Sequence, residues 1–145
     1  MRKLAIAIDG PAGAGKSSVA KILAANMGYA YLDTGAMYRA VTYEVLRREL
    51  TEEKDIVALA AGMDMTVKPE TDAMHVIVNG HDVTDHIRTP EVSARVSAVS
   101  ALAGVRAAMV EIQRRQAAKG GIVLDGRDIG TTVLPHADVK IFLTA

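Results

Sequence analysis

Residues Gly10-Pro11-Ala12-Gly13-Ala14-Gly15-Lys16-Ser17 fill every fixed position of the G-x-x-x-x-G-K-[ST] phosphate-binding loop. Such a loop needs a buried strand before it and a helix after it. The flanks meet both demands: 4–8 is a short apolar run suited to a strand, and 18–27 reads as a helix. Val19, Ile22, Leu23 and Met27 recur at helical spacing and are expected to form that helix's buried stripe, with Gly28 at its C-terminal end. The glycines let backbone N–H groups approach phosphate oxygens with no Cβ in the way. The helix then aims its unpaired amides and positive dipole end at the same anion. Lys16 is expected to reach the β- and γ-phosphates as a catalytic residue, and the Ser17 hydroxyl to ligate Mg²⁺. Gly10 to Ser17, together with Ser18, are thus the expected contacts of a nucleoside triphosphate, with ATP as the natural candidate.

Composition narrows the class. A chain of 145 residues, half of them hydrophobic and 23% charged, suits one globular domain with one core. Seventeen basic residues balance seventeen acidic ones, and five aromatics offer little stacking surface, which argues against a nucleic-acid partner. The absence of cysteine excludes disulfides and cysteine-ligated zinc. His75, His81, His86 and His136 show no metal-binding spacing. Arg2 and Lys3 precede only five apolar residues before Asp9, too few for a signal peptide, and no run has membrane-spanning length. The expectation is a soluble cytoplasmic protein with no membrane partner.

Strand-like and helix-like segments alternate along the chain, the pattern of an α/β fold with a parallel sheet. A second strand is read at 29–32. The helix that follows Asp33-Thr34-Gly35 places Tyr38, Val41 and Val45 on one face and Arg39, Thr42 and Arg47 off it, and a third helix follows Thr51. The stretch 64–90 reads differently. Runs at 74–78 and 81–84 flank Asn79-Gly80, a strong hairpin signal, and Pro69, Glu70, Thr71 and Asp72 mark another turn, so a small antiparallel insertion is expected there. Thr89 and Pro90 open the next helix as N-cap and first helical residue. Val105, Ala108, Met109 and Ile112 stripe the one after it, ahead of Gly120-Gly121 and of apolar strands at 122–124 and 139–143.

A second chemical constellation, Asp125-Gly126-Arg127-Asp128, directly follows one of those strands. Ligands of doubly wound sheets bind beyond the carboxyl ends of the strands, so this loop is expected to face the phosphate-binding loop. Asp125 is the expected partner of Ser17 in holding Mg²⁺. Arg127, whose planar fork suits phosphate oxygens, is the second expected catalytic residue.

The three segments Ile8-Asp9-Gly10-Pro11 through Ser17, Leu32-Asp33-Thr34-Gly35-Ala36-Met37-Tyr38-Arg39 and Asp125-Gly126-Arg127-Asp128-Ile129-Gly130-Thr131 resemble bacterial cytidylate kinase. The likeness extends to Val83-Thr84-Asp85-His86-Ile87-Arg88 and to 139–143, and so covers essentially the whole chain. It implies a single three-layer α/β/α kinase core over residues 1–145, a monophosphate-binding insertion at about 64–90, and phosphoryl transfer from ATP to CMP or dCMP. It further implies that Thr34, Ser97, Arg106 and Asp128 surround the cytosine and its sugar, with Arg39 and Arg127 at the monophosphate. Taken alone, Arg106 reads as a solvated helix charge and Ser97 as a small packing residue. The chemistry suits cytosine: Asp128 can accept from its amino group while Arg106 donates to its acceptor edge. The attacking phosphate oxygen is already ionised, so the reaction needs positioning and charge neutralisation rather than a base.

Members of that family continue past the equivalent of Ala145 into an arginine-bearing lid, a further helix and a last strand. The resemblance therefore implies impaired turnover by this 145-residue piece, an uncovered edge strand at 139–143, and a monomer in the full-length form. Two other readings are open at the level of residues: a phosphate-binding-loop kinase for another nucleotide or small metabolite, and a non-catalytic ATP-binding module.

Overall fold

The computed structural model describes residues 3–11, 14–69 and 74–144. Ala12 and Gly13 of the phosphate-binding loop, and the turn expected at Glu70, Thr71 and Asp72, lie outside the described residues. The chain divides into two compact units. One comprises Met1–Thr34, Pro69–Met74 and Gln113–Ala145; the other comprises Gly35–Lys68 and His75–Ile112.

The first unit is built on a parallel sheet of β1 (Ala5–Asp9), β2 (Ala30–Asp33), β6 (Ile122–Gly126) and β7 (Val139–Phe142), in the spatial order β2-β6-β1-β7. Its central strands read as almost unbroken apolar runs because both faces are covered. β1 and β6 run in register, with Ile8 opposite Asp125 and Asp9 opposite Gly126. Helix α1 (Lys16–Met27) packs on the face presented by Ile6, Ile8, Tyr31 and Val123. It does so through Ala20 and Ala24, both fully buried. The apolar stripe expected from the sequence is only partly in place: Leu23 packs against this core, whereas Val19, Ile22 and Met27 are exposed, Ile22 by 62%. The small side chains win this face because they let the helix settle close against a sheet already lined with isoleucine and valine. The helix begins at Lys16, with Gly15 as its left-handed N-cap.

At the end of β1, Gly10 has φ +155°, and a Cβ there would stand 2.5 Å from the Leu143 carbonyl oxygen. Glycine is required for β7 to pass this close to the start of the loop. β7 itself pairs only with β1 among the described strands and exposes Val139 and Phe142.

The second unit holds α2 (Thr34–Arg47) from Gly35 onward, α3 (Glu53–Gly62), α4 (Pro90–Ser100), the greater part of α5 (Ala103–Ala117), and most of the sheet β3 (Met65–Pro69), β4 (Met74–Val78) and β5 (His81–Asp82), all but the end residues Pro69 and Met74. The hairpin expected around Asn79-Gly80 is present, with Val78 opposite His81, and both turn residues adopt positive φ. Its second strand is shorter than expected. The Asp82 carboxylate accepts from the Thr84 amide and draws Thr84–His86 into a turn of 3₁₀ helix. In α2, Met37, Ala40, Val41 and Val45 are buried. Thr42, expected off that face, is buried as well, its hydroxyl satisfied by the Tyr38 carbonyl one turn back. The α/β class expected from the sequence, with a parallel sheet and a separate small antiparallel sheet, is the one observed.

Thr89 caps α4 as expected, its hydroxyl accepting from the Val92 amide with Pro90 in the first turn. Replacing Thr89 by alanine is expected to cost about 1 kcal/mol, read as a lower urea midpoint at unchanged slope.

Candidate active site

Strand alternation decides which carboxylates meet the phosphate-binding loop. Val123 faces α1, so Asp125, two residues on, points to the same side; Tyr31 on β2 does likewise. The result is a hydrogen-bonded row. The Tyr31 phenol donates to Asp125 Oδ2 at 2.8 Å and lies 3.1 Å from Ser17 Oγ. A phenol has one proton, and it goes to Asp125, so Ser17 donates into Tyr31 and keeps its own lone pairs outward. Sequence reasoning named Ser17 and Asp125 but missed Tyr31. Its signal was positional: an aromatic in a buried strand, two residues before Asp33.

The electrostatics of this row are strained toward neutrality. Burial is the main cause that raises the Asp125 carboxyl from 3.8 to about 6, with the charge of Asp33 adding to it. The Tyr31 bond and the charges of Lys16 and Lys21 pull the other way. Burial likewise pushes the Tyr31 phenol well above its ordinary range, helped by Asp33. Lys21 also places its ammonium 5.8 Å from the centre of the Tyr31 ring. A cation of charge two near Asp125 would relieve this cost. The donors are hard oxygens, as Mg²⁺ prefers, and among the described residues no three acidic or histidine side chains gather into a self-sufficient cage. Ser17 and Asp125 therefore fit an ion that takes its remaining ligands from phosphates and water.

The loop after β6 is tightly framed. Thr34, at the start of α2, is buried and donates its hydroxyl to the Asp125 carbonyl at 2.8 Å, which leaves its oxygen free to accept from a ligand. A Cβ on Gly126 would stand 2.9 Å from that hydroxyl and 2.8 Å from Ile129, so only glycine fits at that position. Arg127 is exposed and Asp128 half-buried. A single turn of π-helix, Ile129–Val133, closed by the Leu134 amide on the Ile129 carbonyl, follows them and was not foreseen.

Thr34, Arg127, Asp128, Asp125 and the described part of the phosphate-binding loop all belong to the first unit. Arg39, Ser97 and Arg106 belong to the second. There Arg39 is held by the Ile87 carbonyl and the Ser93 hydroxyl, while Ser97 and Arg106 are exposed on α4 and α5. No single described helix is long and apolar enough to cross a membrane; α4 and α5 satisfy that test only as a pair, and they bend by 98° at the break between them.

Comparison with known proteins places the chain in a family. The family described as cytidylate kinase matches residues 6–145. The chain is 53% identical to the cytidylate kinase of Desulfitobacterium hafniense over 99% of its own length and 62% of that protein. It is 53% identical to that of Bacillus subtilis, over 99% and 65%, and 51% identical to that of Enterococcus faecalis, over 100% and 65%. The chain thus spans a little under two thirds of the length of these relatives.

Proposed function

The chain belongs to the cytidylate kinase family, and on that premise we propose that it transfers the γ-phosphoryl group of ATP to CMP or dCMP, giving ADP and CDP or dCDP. The observation that carries this reading is the row Ser17, Tyr31, Asp125, because it aligns the hydroxyl of the phosphate-binding loop with a buried carboxylate that a divalent cation would neutralise. The backbone of Gly10 to Ser18 would cradle the triphosphate, and Lys16 would meet its β- and γ-oxygens. Mg²⁺ accompanying ATP would be held by Ser17 and Asp125 and would offset charge on the phosphates. Arg127 would grip the phosphoryl groups from the other loop.

On the acceptor side, Thr34 would offer its oxygen to the base and Asp128 would accept from the cytosine amino group. The parts of Arg39, at the monophosphate, and of Ser97 and Arg106, at the nucleoside, are proposed on the family pattern alone. Small nucleotides are then the partners, a monomer the working form, and the cytoplasm, where ATP and CMP meet, the place of action.

Production of ADP with ATP, Mg²⁺ and CMP tests the proposal. The expected outcome is CMP-dependent turnover that exceeds turnover with UMP by at least about 10²-fold, since uracil would leave polar groups at the base unpaired. Turnover with AMP or shikimate in place of CMP would assign the site to another substrate, and ATP binding without transfer to any acceptor would make the chain a binding module.

A further inference from the structure

Asp9 lies outside every role described so far. It is the last residue of β1, it is 6% exposed, and neither a nucleotide nor a cation is needed to account for where its carboxylate points. By strand alternation it faces away from α1, on the side opposite Asp125. There its two oxygens accept from the backbone amides of Ile129 at 2.7 Å and Gly130 at 2.8 Å. Both are charge-assisted bonds to donors that open the π-turn.

The geometry points to Asp9 as a positioning residue for Arg127 and Asp128. Those two residues are all that separates Gly126 from Ile129. Gly126 is held in the ladder opposite Asp9, and Ile129 is held by the Asp9 carboxylate. A two-residue bridge is thus anchored at both ends on one side chain and its own backbone. The far end of the π-turn is fixed too, by Arg114, whose guanidinium donates to the carbonyls of Val133 at 2.8 Å and Thr132 at 3.0 Å. The β1 backbone does not depend on the carboxylate in return, since it is paired on both sides with β6 and β7. Losing the carboxylate therefore frees the Arg127–Asp128 bridge and leaves the phosphate-binding loop seated.

The inference rests on the proposed acceptor role of those two residues, and its test separates the two. Asp9→Asn keeps shape and can accept at only one atom, turning an N–H donor toward the second amide. The expected result is a loss of about 10- to 100-fold in kcat/KM for CMP. ATP affinity should be unchanged, and amide exchange at Ile129 and Gly130 should be faster. Arg114→Gln should reproduce the same selective loss. Ile6→Val, a core change on the same strand, should lower the melting temperature without that split. Equal weakening of CMP and ATP, an unchanged response to CMP, or the same split in Ile6→Val would each overturn the assignment. If the unaltered chain binds ATP but shows no response to CMP, the nucleotide reading fails, and unchanged exchange at Ile129 and Gly130 in Asp9→Asn then refutes the clamp.

Discussion

Lys16→Ala is expected to lower CMP-dependent ADP production by about 10³-fold, the scale on which phosphoryl transfer loses rate when a positioned cation is removed from the transferring group. The substitution is local. Lys16 is the first residue of α1, half-buried at most, and the helix behind it is seated by Ala20 and Ala24 rather than by its side chain. Folding stability should stay within about 0.5 kcal/mol of the parent, as for other changes at accessible positions. ATP should still bind, because the loop's backbone amides and the end of the helix remain. A binding titration beside the turnover assay separates the two terms: a large fall in kcat with a small rise in Kd is the expected pattern. Undiminished turnover would remove Lys16 from the chemistry. The same variant should push the Asp125 carboxyl higher still, since the charge of Lys16 is one of the influences holding it down.

Asp125→Asn is expected to pull stability and activity in opposite directions. The carboxyl titrates near 6 in the folded chain and near 3.8 when released from it, because burial and Asp33 disfavour its charge. A raised carboxyl favours the fold while protonated. That contribution is complete below about pH 4 and is lost as pH rises through 6, a swing of about 3 kcal/mol. Asparagine keeps the acceptor for the Tyr31 phenol and carries no charge. Without bound nucleotide, the variant should therefore melt higher than the parent at pH 8 and close to it at pH 4. Its turnover with ATP, Mg²⁺ and CMP should fall by about 10²-fold or more, because a neutral amide is a poor partner for a hard cation. Thermal melts across that pH range, with ADP release at one pH, check both halves. A variant that melts lower at pH 8 would show that the charge is not a burden on the fold.

Much of the site could be read from residue order. The helix start at Gly15-Lys16, the Asn79-Gly80 hairpin and the Thr89-Pro90 helix start are local signals, each set by the conformations its own residues allow. The readings that failed were those requiring knowledge of what an element packs against. Periodicity ranks Val19 and Ile22 above Ala20 and Ala24 as buried residues, but a helix approaching a crowded sheet buries what is small. Thr42 looked solvent-facing because its hydroxyl is polar, whereas the helix itself satisfies it. Tyr31 and Asp9 act across separations of 94 and of 120 to 121 residues, to Asp125 and to Ile129 and Gly130. Only strand register brings such partners together, and no spacing in the sequence announces it.

The alanines under α1 also bear on how such a site could be altered. Two methyl groups are what this helix places among the buried side chains of the strands. One added methylene at Ala20 or Ala24 would act as a shim: a strain of about 1–3 kcal/mol in the core, and a tilt of the anion cradle by a residue that never meets the nucleotide. Selection or design seeking a different phosphate donor therefore has a lever beneath the loop as well as within it.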